Sequence, residues 1–526
     1  MQRKWWTLLA VSVATFMLLL DITVVNTALP AIQEDLNASF TELQWVIDAY
    51  TLALAGLVLT AGSLADRLGR RRVFAVGLVI FSVASLAAGL APDPTFLNVS
   101  RAIQGIGGAI LFAVSLALVA QEFAAGRERG TAMGIYGATI GVSVAVGPLV
   151  GGALVDSLGW EWVFFINVPV GIAALAVTFT KLRESRDPNA TRVDWAGLAT
   201  FSSALFLLVF GLLRGNEEGW GSTFIMALLG AAAALLVAFV VIESRVKQPM
   251  LPLGLFRKPA FTGVQLAALG VSASMFALFL YVTFYLQNHL GHSPLEAGLI
   301  YLPFTVISFF AAAGGGALLG RVPARVLMSV GLGLTGVGLL LMGGIDPTDE
   351  WTAMLGGFLI AGAGVGLLNP VIADVALSVV PNEQSGMAAG INDTFRQVGV
   401  AVGIAAWGAI FLSRGASEVE QLAAGTPAAT GERPRQLIEA ASSGNLDAAT
   451  ASLPAGARET VLDAAGQGFI SGLNEIVMLG GIVSLVAAVA ALWLVRERDI
   501  ERDAPIEVDE QRATGEQGAV LEPLPA

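Results

Sequence analysis

Apolar stretches of about 20 residues recur from one end of this 526-residue chain to the other, and no other feature restricts its fold as much. A stretch of that length crosses a bilayer core as an α-helix, which satisfies all of its own backbone hydrogen bonds where no water can. The runs lie near 5–29, 44–65, 73–91, 97–120, 131–155 and 161–180, then 194–213 and 222–242. Six more follow near 260–288, 296–320, 325–344, 351–373, 386–412 and 470–495, fourteen in all. With 55% hydrophobic residues, 13% charged and a mean hydropathy of +0.73, the chain reads as an all-α polytopic membrane protein that has the bilayer for solvent. The first run follows "MQRKWW", as a secretory signal would, but Asp21 interrupts it and further runs follow, so it reads as a retained span.

The absence of cysteine excludes disulfides, thiolate metal sites and a thiol nucleophile. A net charge of −12 argues against a nucleic-acid partner, although the sidedness of charge matters more than its sum here. With the N-terminus inside, most of the 29 basic residues fall on the cytoplasmic side. The loop "DRLGRRR" (66–72) and Lys181, Arg183, Arg186, Arg192, Arg245, Lys247, Arg257 and Lys258 carry that bias. An even number of spans returns the C-terminus to the same side. Arginine preferred over lysine, with abundant alanine and glycine, hints at a GC-rich bacterial genome. The expected location is therefore the bacterial cytoplasmic membrane.

"GSLADRLGRRR" (62–72) follows the second span, and "GALLGRVPARV" (316–326) echoes it after the second of the last six. The echo divides the chain into an N-terminal six-helix bundle (1–182), two inserted helices (183–256), a C-terminal six-helix bundle (257–495) and an acidic tail (496–526) expected to be disordered. In transporters, repeats of this kind place the substrate path between the halves. The stretch 413–469 is expected outside the membrane as a solvated linker of short helices and flexible turns, or as a lid over an outer opening.

Three stretches carry a family resemblance. Gly62, Asp66, Arg67, Gly69 and Arg70, in a short loop after the second span, resemble the gating signature of the major facilitator superfamily between its second and third helices. "LNVSRAIQGIGGA" (97–109) sets Arg101 and Gln104 at helical spacing in the fourth span and resembles that superfamily's fourth-helix motif. Its glycines read as packing positions, because no strand precedes them as a nucleotide site would require. "GVSVAVGPLVGG" (141–152) sets Gly141, Gly147, Pro148, Gly151 and Gly152 in the fifth span and resembles the motif of the superfamily's antiporters. With "LDITVVNTALPAI" (20–32), "YLQNHLGHSPLEAGLIYLPF" (285–304) and fourteen spans, the match narrows to the fourteen-helix drug:proton antiporter branch and covers residues 5–495. One departure is Glu161, where that family often has a basic residue.

The resemblance implies two bundles that rock about a central cavity, no cofactor beyond a proton gradient, and a functional monomer. Lipophilic, often cationic compounds would leave as protons enter. No Walker-type loop is present to use ATP. The alternatives are a dedicated exporter of one natural product and, from another class, a membrane sensor or enzyme. An enzyme would need a cluster of His, Asp or Glu at one depth, and the acids here are scattered.

An aspartate at the centre of a spanning helix costs about 2.5 to 3.5 kcal/mol, so Asp21 needs a reason. Counted along their helices, Asp21 and Arg101 both lie roughly 10 to 14 Å below the outer surface and can meet. Burial favours the neutral acid and a guanidinium favours the carboxylate, so a shift in either moves a proton. Asp21 is thus the candidate protonation site and Arg101 its modulating partner, against a static ion pair. Asp48 is a weaker acid candidate near the outer start of its span.

In the second half, Asn392, Asp393 and Arg396 share the thirteenth span. Asp393 and Arg396 are spaced to pair locally, and cavity lining or a second proton step is the other reading. His289 and His292 form an H-x-x-H with no convincing ligand set nearby, so no metal site is assigned.

Overall fold

The computed structural model describes residues 2–38, 40–123, 127–186, 193–246, 249–381 and 384–500. Fourteen long helices account for the expected spans: α1 (Arg3–Leu36), α2 (Phe40–Leu68), α3 (Arg70–Gly89), α4 (Pro94–Glu122), α5 (Arg127–Leu158), α6 (Trp162–Lys181), α7 (Trp195–Glu218) and α8 (Thr223–Glu243). They continue with α9 (Pro259–His289), α10 (Leu295–Leu318), α11 (Ala324–Met342), α12 (Trp351–Ser378), α13 (Ser385–Leu422) and α14 (Ala455–Leu494). Thirteen of them are long and apolar enough along their described residues to cross a membrane; α5 supplies the run at 131–155.

The boundaries follow local chemistry. Asp93 caps α4 by accepting from the Phe96 amide at 2.9 Å, with Pro94 in the first turn, where its missing N–H costs nothing. Ser293 and Glu296 form a reciprocal capping box at the start of α10. Between α2 and α3 the chain reverses at Gly69, whose φ of 110° a side chain would resist.

Helices α1–α6 form one bundle and α9–α14 the other. The inserted hairpin leans through α7 on α2 and α13, one helix from each bundle, while only 17% of the α8 window is buried in protein. The bundles meet where α2 and α4 cross α13 and where α5 crosses α10 and α12. At the end where α1 begins and α14 finishes, here the terminal end, two of these crossings are backbone on backbone. A Cβ on Gly386 would lie 2.7 Å from the Gly62 carbonyl oxygen, and one on Gly130 or Gly316 would overlap the other's carbonyl. Gly62 and Gly316 occupy matching positions of the sequence echo. Ala373, Leu377 and Ala389 of the second bundle share a buried apolar cluster with residues of the first.

Two expectations are corrected. Residues 413–422 and 455–469 belong to the long helices α13 and α14, and the expected short helices and turns lie between them. At 38 and 40 residues, α13 and α14 are roughly 57 and 60 Å long against a hydrocarbon core of about 30 Å, so both run on into this stretch. A further helix, Arg433–Ser442, seats Leu437 and Ile438 in the main core cluster. The ninth span is not a plain α-helix either, since π-type turns interrupt it at Ser272–Phe276 and Tyr285–His289. Arg192, Lys247 and tail residues 501–526 lie outside the described residues.

Candidate functional site

Asp21, midway along α1, is 1% exposed and held on three sides. Arg101 of α4 donates from Nη1 to Asp21 Oδ2 at 2.5 Å, Gln104 Nε2 donates to Oδ1 at 2.8 Å, and Asn167 Nδ2 of α6 donates to the same oxygen at 2.8 Å. Arg101 also donates from Nε to the Val46 carbonyl of α2 at 3.0 Å and from Nη1 to Gln104 Oε1 at 2.6 Å. Ser85 of α3 accepts from Gln104 and Asn167 at 2.7 and 3.3 Å. The guanidinium lies 4.3 Å from the centre of the Tyr50 ring, a cation–π distance. Five helices of the first bundle thus share one network around the Asp21–Arg101 pair. Asp21 and Arg101 meet as their depths predicted, and the pair is sealed inside that bundle.

The glycine-rich stretch of α5 packs on α1 one turn beyond Asp21. A Cβ at Gly147 would overlap Thr23, and one at Gly151 would overlap the Thr27 hydroxyl and approach Val24 Cα to 3.2 Å. Gly141 instead faces Thr305 of α10 at 3.9 Å, and Gly152 faces nothing within 4 Å. Pro148 lies within α5.

Asp66 sits at the terminal end of α2. Its Oδ1 accepts from Arg70 Nε and Nη2 at 2.9 and 2.8 Å and from the Gly386 amide at 3.0 Å, while Oδ2 accepts from the Met387 amide at 2.8 Å. One carboxylate of the first bundle therefore caps α13 of the second, where the helix dipole favours negative charge. Arg67 donates to the Pro249 carbonyl at 3.4 Å, tying this corner to the chain after α8. Asp48 is half-buried on α2.

In the second bundle, Arg396 donates to Asn392 Oδ1 at 3.3 Å and to Asn369 Oδ1 of α12 at 3.0 Å, and Asn392 donates to Gln265 Oε1 of α9 at 3.1 Å. The local pair expected between Asp393 and Arg396 makes no hydrogen bond or ion pair among the described residues, and the guanidinium donates to the two asparagines instead. His289 stacks between Tyr285 and Phe469, and His292 Nδ1 lies 3.7 Å from Glu296.

Asn167, Ser85, Gln265 and Asn369 were not singled out from the sequence. Each is a lone polar residue in an apolar run, and that is the signal that marked Asp21.

Two helical bundles joined at an internal crossing, with a carboxylate–guanidinium network buried in one and a polar cluster in the other, are an architecture that suits a membrane transporter. The chain belongs to the Major Facilitator Superfamily, whose model matches residues 11–404. It is 36% identical over 519 residues to the tetracenomycin C resistance and export protein of Streptomyces glaucescens, covering 98% of this chain and 96% of that one. It is 32% identical over 492 residues to the multidrug efflux pump LfrA of Mycolicibacterium smegmatis, covering 92% and 95%. Among solved structures, the human organic anion transporter MFSD10 superposes with a TM-score of 0.63 at 14% identity, over 93% of this chain and all of that one, which speaks to the fold.

Proposed function

We propose that this protein is a proton-coupled antiporter that exports lipophilic, often cationic compounds across the bacterial cytoplasmic membrane. The terminal end would face the cytoplasm, and the protein would act as a monomer without a cofactor. The observation that carries the reading is a fully buried carboxylate paired to arginine on the helix against which the fifth-span glycines pack. Protonating Asp21 would cancel its attraction to Arg101 while Arg101 kept Val46 and Gln104. The strain would fall on α1, whose Thr23 and Thr27 support α5, and α5 reaches the second bundle at α10 and α12. Relatives named for multidrug efflux support a broad substrate range.

Export of one natural product is the second reading, supported by full-length likeness to a protein named for tetracenomycin C resistance and export. The test is efflux of fluorescent lipophilic compounds from proteoliposomes under an imposed pH gradient, wild type beside Asp21→Asn. Coupled efflux lost in the variant supports Asp21 as the coupling group. Coupled efflux in both would make Asp21 structural, and movement of a single compound from a broad panel would favour the dedicated exporter.

A further inference from the structure

A second buried carboxylate stands apart from the coupling network. Asp393 is 2% exposed, and it takes part in no hydrogen bond or ion pair among the described residues; its Oδ2 is fully buried without a partner. Its neighbours have satisfied one another instead, Arg396 with Asn392 and Asn369, and Asn392 with Gln265. Gln265, 1% exposed, has its Nε2 donor equally unpartnered. A carboxylate retained for packing would be expected to claim one of the donors beside it, because a buried polar group without a partner is destabilising.

The position faces the first bundle. Gly390, three residues earlier on the same side of α13, approaches α2 so closely that a Cβ there would lie 2.9 Å from Leu59 Cα. Tyr136 of α5 is within electrostatic reach of both Asp393 and Arg396, and its hydroxyl accepts from Thr15 Oγ1 of α1 at 3.4 Å. The unpartnered carboxylate therefore sits in the wall that the bundles share, about two turns inside the Gly62–Gly386 crossing at the terminal end.

We propose that Asp393 is a specificity-determining residue that accepts the N–H donors of a protonated amine on the transported compound when the bundles part, with the free Gln265 amide donating to an oxygen of the same compound. This rests on the export reading above and adds to it a preference for amines that carry N–H, over neutral compounds and over quaternary cations that bring charge without a donor.

The test uses one fluorophore with three tails in proteoliposomes: dansylcadaverine, which ends in a primary amine, its N-acetyl derivative and its trimethylammonium derivative. Wild type, Asp393→Asn and Asp393→Glu are compared after thermal unfolding has shown that each is folded. Asp393→Asn should lower kcat/KM for the primary amine by about tenfold or more, the factor set by losing a charge-assisted hydrogen bond. The acetylated probe should change by no more than about twofold, and the glutamate should recover part of the loss. Equal losses for all three probes, or no loss for any, would overturn the assignment. A wild type that drives none of the probes against a gradient would instead overturn the export reading, and this assignment with it.

Discussion

Asp21 tolerates its depth because three polar side chains, one carbonyl and the Tyr50 ring divide the work around it and Arg101. Removal of one partner of a buried ion pair costs about 3 to 5 kcal/mol, since the other charge is left without compensation, whereas one hydrogen bond among several costs about 1 kcal/mol. Arg101→Ala should therefore lower the thermal unfolding temperature far more than Asn167→Ala, which removes one of two donors to Asp21 Oδ1 and leaves the ion pair standing. Equal losses, measured in detergent, would mean that the amide and not the guanidinium holds the carboxylate. At this scale the two charges were legible, because an aspartate and an arginine in apolar runs are costly and their depths matched. Asn167 and Ser85 were not, since a lone small polar residue does not disclose which neighbouring helix it faces. The Asp393–Arg396 spacing misled for a related reason: two asparagines on α12 and α13 reach the guanidinium, and spacing along one helix says nothing about α12.

Between elements, glycine decides how closely α5 can lie on α1. Gly147→Ala and Gly151→Ala place a methyl inside Thr23 and against Thr27, and overpacking of this kind costs about 1 to 3 kcal/mol. Gly152→Ala meets open space and replaces a poor helix former with a good one, so it should be neutral or slightly stabilising. Thermal unfolding and transport of the three variants test this, and a Gly152→Ala variant as impaired as Gly147→Ala would show that the stretch acts through something other than this interface. The five residues stood out together in the sequence as one motif. The structure divides the four glycines by direction, with two toward α1, one toward α10 and one toward nothing nearby. Helix number and position were legible from hydropathy, but the lengths of α13 and α14 were not, because beyond the membrane their sequence turns amphipathic and resembles a loop while Leu437 and Ile438 pack beneath it.

Across the whole molecule, a polar link through Asp66 joins the two bundles at the terminal end. Asp66 accepts two backbone amides of α13 while Arg70 fixes its orientation, so the carboxylate belongs to one bundle and its acceptor duty to the other. Hydrogen bonds to a charged group contribute about 1.5 to 3 kcal/mol each, and losing one such increment shifts a two-state population by roughly tenfold to a hundredfold. Asp66→Asn keeps the shape, removes the charge and turns one oxygen acceptor into a donor that faces amide donors. The variant should populate a form in which α2 and α13 part at this end. The chain contains no cysteine, so spin labels at Leu68→Cys and Gln384→Cys report the separation without background. Wild type should give a dominant short distance, and Asp66→Asn a long component that grows at its expense. Unchanged distances would mean that the glycine crossings at Gly62–Gly386 and Gly130–Gly316 suffice to keep the end closed, so that backbone packing, and not the carboxylate, sets the balance between the two forms.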